Sequence, residues 1–124
     1  LVVCKFNIIG ISRDDLAELV NSATGWSINA DDIKRLGLRI ANLLRAFDVR
    51  NGLTRDLDAP SVRYSSAPLD GPNQGRSIGP VWDKVLDIYY QSMGWDVKTG
   101  KPLSSTLRDF GLEDIAADMW LNGE

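Results

Sequence analysis

Apolar side chains recur at helical spacing between residues 33 and 47, a stretch that corresponds to about four turns of α-helix. The repeating residues are Ile33, Leu36, Ile40, Leu43, Leu44 and Phe47. Asn29 precedes the stretch as a candidate N-cap, and Gly52 follows it as a stop signal. A stripe with this period is typical of a helix face that packs into a core. We therefore expect a long helix here whose apolar stripe is buried.

Other segments carry weaker helical signals, in the form of candidate caps, proline at a first turn and glycine at the ends. The expected helices cover about residues 12–22, 30–51, 80–93, 105–110 and 113–121. Alternation of apolar and polar residues indicates at most one short strand, at residues 2–9. The sequence therefore predicts a single all-α domain over residues 1–124, an irregular bundle of four to five helices.

One long irregular loop is expected at about residues 53–77, where three prolines interrupt any sustained period. A connection of this length is uncommon in a compact domain and is usually either functional or disordered. Two interpretations stay open. The segment is a surface loop, or it lies against something outside the chain, with Val62 and Tyr64 as anchors.

The composition excludes several kinds of chemistry. The chain has no histidine and one cysteine, so it has no Ser-His or Cys-His nucleophile pair, no disulfide and no self-contained zinc or iron–sulfur site. A net charge of −3 without clustered basic and aromatic residues argues against nucleic-acid binding. No apolar run is long enough to span a membrane. The unpaired thiol and the lack of a signal-peptide pattern favour the cytoplasm.

Short segments in a defined order and spacing carry a family resemblance over nearly the whole chain. They are Val3-Cys4-Lys5-Phe6, Ala23-Thr24-Gly25-Trp26, 37–40, 45–52, Tyr89-Tyr90, Gly94-Trp95-Asp96, 99–102, Leu107 and Gly111-Leu112. Together they resemble the C-terminal helical region of the tungsten-containing aldehyde ferredoxin oxidoreductase family. The sequence departs from the family pattern at Leu38, Asp48 and Leu103, and these departures leave the substrate undefined.

The resemblance implies roles for two residues near the start of the chain. Cys4 matches the last of four thiolates that hold a [4Fe–4S] cluster in that family. Val3 matches the residue before it, in a segment that contacts tungsten-bound pterins. No catalytic residue is assigned within this chain. The implied cofactors of the parent enzyme are the [4Fe–4S] cluster and a tungsten bis-pterin centre, and none is expected in the isolated fragment.

The resemblance also implies a larger parent that oxidises aldehydes to carboxylic acids and passes electrons through the cluster to ferredoxin. The chain is then a C-terminal fragment, inactive alone, that exposes an apolar face for the upstream domains of the same polypeptide. Self-association into a homo-oligomer is left open. The alternative is a stand-alone helical interaction module without a redox role. Its candidate anchors are Arg39, Trp82, Trp95 and Trp120.

Overall fold

The computed structural model describes residues 5–120 and confirms the all-α prediction. Its six α-helices are α1 (Arg13–Thr24), α2 (Ala30–Arg50), α3 (Val62–Ser65), α4 (Trp82–Met93), α5 (Ser104–Asp109) and α6 (Glu113–Trp120). Short 3₁₀ segments lie at Lys5–Ile8, Arg55–Asp58 and Gly79–Val81. The short strand expected at residues 2–9 is wrong for residues 5–8, which form a 3₁₀ turn. Within residues 5–120 no helix is both long and apolar enough to cross a membrane.

The chain divides into two compact units, a first unit at Leu1–Ala41 and a second unit at Asn42–Glu124. The boundary falls within α2, so that one helix contributes residues to both units. The single domain over residues 1–124 that the sequence predicts stays a prediction.

Local capping explains where the helices of the first unit begin. Ser12 accepts a hydrogen bond from the amide of Asp15, and the Asp15 carboxylate accepts one from the Ser12 amide at 3.0 Å. Asn29 and Asp32 form the same reciprocal pair at the start of α2. Each pair satisfies amides that would otherwise lack a partner in the first turn. The N-cap predicted at Asn29 is confirmed, and Ser12 caps α1.

The α2 stripe does not occupy the position expected for it. Five of its six apolar side chains are between 41% and 63% exposed, and the residues are Leu36, Ile40, Leu43, Leu44 and Phe47. The side chains of α2 that are buried are Asn42, Arg45 and Ala46. The prediction that the stripe forms the core is therefore wrong for the described residues. Periodicity locates the apolar face of a helix, but it does not show whether the surface covering that face belongs to the same chain.

The core of the second unit consists of two small clusters. The first joins α2, α5 and α6 through Ala46, Leu107, Leu112 and Ala116. The second contains Leu86, Tyr90 and Trp95. The last helix faces this core, because Leu112 and Ala116 are buried and Ile115 and Met119 pack against them.

The irregular loop at residues 53–77 is less structureless than the sequence suggests. It contains the 3₁₀ turn at Arg55–Asp58 and the single turn of α3. Val62, Tyr64 and Leu69 are more than three-quarters exposed. The two side chains considered as anchors therefore project from the loop and are available for a contact outside the chain.

Candidate functional site

The residues to which the sequence assigns a cofactor role, Val3 and Cys4, lie outside the described residues. Over residues 5–120 no group of three or more His, Cys, Asp or Glu side chains is arranged to hold a metal ion. Since the one cysteine of the sequence is at position 4, outside this range, the described part offers no thiolate for an iron–sulfur cluster. The metal role of Cys4 and the pterin contact of Val3 stay predictions.

The most elaborate polar arrangement in the second unit is centred on the guanidinium of Arg45. Its Nε donates to the carbonyl of Gly100 at 2.8 Å. Nη1 and Nη2 donate to the two carboxylate oxygens of Asp58 at 3.0 and 2.6 Å. Nη2 also donates to Tyr90 Oη at 3.0 Å. We call these four residues the Arg45 cluster. Its bidentate ion pair is the geometry in which arginine binds carboxylates most strongly.

Tyr90 is fully buried and completes the cluster by donating its hydroxyl proton to Asp58. The guanidinium carbons of Arg45 and Arg55 each lie 5.3 Å from the centre of its ring, within the range of cation–π attraction. Arg55 donates to the Val97 carbonyl and pairs with Asp87 at 2.8 Å. Two arginines thereby attach the 3₁₀ turn at residues 55–58 to the rest of the unit.

Trp95 extends this buried polar layer toward α2. Its indole Nε1 donates to Asn42 Oδ1 at 2.8 Å, and Asn42 is fully buried. The Arg45 guanidinium lies 4.7 Å from the Trp95 ring. Trp120 is likewise engaged within the chain, since it donates to the Pro102 carbonyl at 3.1 Å. These two tryptophans, considered as partner anchors, pack and bond inside the second unit.

The electrostatics of the cluster hold each ionisable group far from titration at neutral pH. Burial raises the pKa of Asp58, but the hydrogen bonds from Arg45 and Tyr90, together with the charges of Arg45 and Arg55, outweigh it and the pKa falls below its ordinary value. Burial lowers the pKa of Arg45, and pairing with Asp58 reverses this to a net rise. Burial and the hydrogen bond to Asp58 raise the pKa of Tyr90 to about 12. A general acid or base works best with a pKa near the operating pH, so this cluster positions its neighbours and does not transfer protons.

The raised pKa of Tyr90 predicts a loss of stability in alkali. Its folded pKa of about 12 lies above the ordinary value of 10.0, so the stability it contributes is complete below pH 10 and is lost as the pH rises from 10 to 12. We expect the free energy of unfolding to fall by about 2 kcal/mol over this range from Tyr90 alone. Urea unfolding at pH 8, 10 and 11.5 measures the fall.

Two matched phenylalanine variants assign the alkaline effect. Tyr90→Phe should lose that part of the pH dependence, whereas Tyr89→Phe should keep it, because Tyr89 is half exposed. Equal pH dependence in the two variants would contradict the assignment to Tyr90.

A predominantly apolar pocket with a volume of about 480 Å³ lies beside the Arg45 cluster. Its lining residues are Arg45, Asp58, Trp82, Val85, Leu86, Tyr89, Tyr90 and Trp95. Tyr89 and Trp95 meet edge to face, with ring centres 5.6 Å apart and an interplanar angle of 87°. The Nε1–H of Trp82 is shielded from solvent and has no acceptor among the described residues.

The Arg45 cluster could not be predicted from a sequence pattern. Arg45 stands off the apolar stripe of α2 and Asp58 lies in the irregular loop, so no local sequence pattern marks either residue. Their partners are far away along the chain, since 55 residues separate Arg45 from Gly100. The available signal was the resemblance, whose segments at 45–52, Tyr89-Tyr90 and 99–102 contain three of the four.

Comparison with known proteins gives consistent results for sequence and fold. A family model described as "Aldehyde ferredoxin oxidoreductase, domains 2 & 3" matches residues 1–112. The chain is 32% identical over 115 residues to the tungsten-containing aldehyde ferredoxin oxidoreductase of Pyrococcus horikoshii, covering 91% of this chain and 18% of the relative. Identity to the protein of the same name from Pyrococcus furiosus is 32% over 116 residues, with the same coverage.

A solved structure shares the fold at lower sequence similarity. It is the active site complex BamBC of benzoyl coenzyme A reductase, in complex with 1,5 dienoyl-CoA. The TM-score is 0.71 at 22% identity, and the match covers 88% of this chain and 15% of that one. The chain thus spans less than a fifth of the length of the curated relatives it matches.

Proposed function

Because this chain belongs to the aldehyde ferredoxin oxidoreductase family, we propose that it is the C-terminal helical domain of an enzyme that oxidises aldehydes to carboxylic acids. Water supplies the added oxygen, and two electrons and two protons leave for each aldehyde oxidised. The electrons pass to ferredoxin. The observation that supports the proposal is the family match over residues 1–112. Since the chain corresponds to 18% of its relatives, the reaction requires the rest of the polypeptide.

This chain contributes a single thiolate to the cluster and part of the protein surface that surrounds the cofactors. When bound, a tungsten bis-pterin centre and a [4Fe–4S] cluster supply the oxidation and the electron transfer. Cys4 would provide one of the four thiolates that such a cluster takes, and Val3 would contact the pterin. The remaining thiolates come from other parts of the parent, because this chain has no second cysteine. The isolated chain is therefore inactive and holds neither group.

The exposed stripe of α2 is the surface through which this domain packs against the rest of its polypeptide. Its apolar side chains Leu43, Leu44 and Phe47 in the second unit are between 42% and 63% exposed. Grouped apolar side chains on a surface mark sites of protein contact. The Arg45 cluster lies on a different side of the same helix, where its hydrogen bonds stabilise the fold of the second unit. The parent enzyme is expected in the cytoplasm, where the unpaired thiol of this chain stays reduced.

The shared cluster is tested in the parent enzyme by Cys4→Ala. We expect the variant to lose the intact [4Fe–4S] cluster and the electron paramagnetic resonance signal of its reduced form, since a missing thiolate leaves one iron without its protein ligand. Ser27→Ala is the control, because Ser27 is an exposed residue without an assigned role.

Retention of a complete cluster by the Cys4→Ala parent enzyme would contradict the role of this thiolate. A second result would contradict the proposal that the cluster is shared between this chain and the rest of the parent. If the monomeric 124-residue chain bound a stoichiometric [4Fe–4S] cluster when given iron and sulfide, the site would not be shared with other parts of the polypeptide.

A further inference from the structure

The irregular loop carries the most exposed of the large apolar side chains in the second unit. Val62, Tyr64 and Leu69 are 84%, 78% and 91% exposed. Every residue from 61 to 76 except Ser65 is exposed, and we call residues 61–76 the protruding loop. This loop extends away from the rest of the second unit and presents its apolar side chains to solvent.

Hydrogen bonds within the protruding loop and at its base hold it in shape. At the base, the Ser77 hydroxyl donates to the Ser65 carbonyl. Within the loop, the Gly75 amide donates to the Pro68 carbonyl at 3.0 Å. A loop whose shape is already fixed loses less conformational entropy when a partner covers it. The protruding loop is therefore preorganised for a contact.

The geometry of α3 defines the shape of a surface that could cover the loop. Successive residues of an α-helix point about 100° apart around the helix axis. Val62 and Tyr64 are two residues apart in the single turn of α3, so their side chains point about 200° apart. A flat surface can cover one of these side chains but not both. A partner that covers both must be concave, so that α3 inserts into it.

The length of the relatives indicates where such a surface lies. The chain corresponds to 18% of the length of its curated relatives, so most of the surface available for a contact belongs to the rest of the parent polypeptide. Permanent interfaces are more hydrophobic than the small interfaces of brief encounters between separate proteins. Exposed groups of large apolar side chains also promote aggregation when nothing covers them. Both arguments favour a permanent contact within one polypeptide.

We propose that the protruding loop inserts into an apolar hollow in the upstream domains of the same polypeptide, with Val62, Tyr64 and Leu69 as the buried anchors. It is a second contact, in addition to the exposed stripe of α2. The inference rests on the proposed function only in that this chain is part of a longer polypeptide, and it requires neither the cluster nor the aldehyde reaction. Retention of the cluster by Cys4→Ala would leave it standing, and an exposed loop in the parent would leave the Cys4 proposal standing.

The test is hydroxyl-radical footprinting of the parent enzyme, in which mass spectrometry measures how fast each side chain is oxidised. Tyr64 is the probe and Tyr90 is the matched control, because the two are 78% and 0% exposed in this chain. In the native parent we expect Tyr64 to be oxidised as slowly as Tyr90. In the urea-unfolded parent both should be oxidised equally fast, and in the native 124-residue chain only Tyr64 should be.

Two substitutions of Leu69 show whether apolar contacts hold the loop. Leu69→Asp should raise the oxidation rate of Tyr64 in the parent to the rate found in the 124-residue chain, because a carboxylate loses its hydration in an apolar hollow. Leu69→Met keeps an apolar side chain of similar volume, and Tyr64 should stay protected. Equal protection of Tyr64 in the two variants would contradict the role of the apolar anchors.

Rapid oxidation of Tyr64 in the native parent would overturn the proposal, and this result needs no variant. If added ferredoxin then suppressed the oxidation, the loop would be a contact for a separate electron acceptor. If Tyr64 were protected but became reactive when the parent was diluted, the contact would belong to a second copy of the polypeptide. Either outcome would replace the upstream domains as the partner.

Discussion

Replacing Arg45 with methionine should lower the free energy of unfolding of the second unit by about 3 kcal/mol, the lower end of the range for breaking a buried ion pair. The substitution keeps an unbranched side chain of similar length but removes every donor of the guanidinium. Asp58, whose side chain is 23% exposed, is left as a largely uncompensated charge. The Gly100 carbonyl and Tyr90 Oη each lose a hydrogen-bonding partner as well.

The measurement is urea unfolding followed by tryptophan fluorescence in a Trp26→Phe background. Trp26 is the one tryptophan of the first unit, so the remaining three report on the second unit alone. Arg50→Met is the matched control on the same helix. Arg50 pairs with Asp118 at 3.0 Å, but the two side chains are 69% and 50% exposed, and an exposed pair of this kind contributes about 0.5 kcal/mol.

A second substitution shows whether the uncompensated charge is the cause. Adding Asp58→Asn to Arg45→Met removes the buried negative charge, and we expect it to restore part of the lost stability. If Arg45→Met cost no more than Arg50→Met, the cluster would not stabilise the unit in the way we describe.

The helices were predictable from the sequence because their signals are local. Ser12 and Asp15 are three residues apart and form the cap of α1 between themselves. Gly94 ends α4 in the left-handed conformation, with φ of 69°, which glycine adopts more easily than other residues. Interactions of this kind need only the residues of one or two turns.

The candidate site was not predictable in the same way because its contacts join distant parts of the chain. Arg45 binds residues 13, 45 and 55 positions further along, and a helical period contains no information about such partners. The period predicts only that the apolar stripe of α2 lies in the core. In the structure, the side chains of Asn42 and Arg45 are buried, whereas those of Leu44 and Phe47 are more than half exposed.

The composition of the chain does not reveal the roles of the cofactor residues. One cysteine and no histidine exclude a self-contained zinc or iron–sulfur site in this chain, but they do not indicate what Cys4 does. That role came from the family resemblance, and the family itself is shown by the match over residues 1–112. The role of Cys4 stays a prediction, since the residue lies outside the described structure.

Replacing Gly100 with alanine should destabilise the second unit by about 2–5 kcal/mol, through two effects that add. Gly100 has a φ of 71°, a conformation that costs an L-residue about 1–2 kcal/mol. A Cβ at this position would also collide with Arg45 Nη2 and lie 2.7 Å from Tyr90 Oη. Both atoms are at the ends of side chains, but the cluster holds them in place, so they can move only by breaking its hydrogen bonds. Overpacking of this kind typically costs a further 1–3 kcal/mol, as a rough estimate.

Gly75→Ala separates the backbone effect from the collision. Gly75 also lies in the second unit and has a φ of 73°, but an added Cβ would meet no atom within 4 Å. Its replacement should therefore cost only about 1–2 kcal/mol, measured by the same urea unfolding in the Trp26→Phe background. The excess cost of Gly100→Ala is the part due to the Arg45 cluster, and in the presence of Arg45→Met it should shrink, because the atom with which the Cβ collides is gone. An equal cost for the two glycines would show that the cluster yields to the added methyl group and does not fix the turn at residues 96–101 against α2.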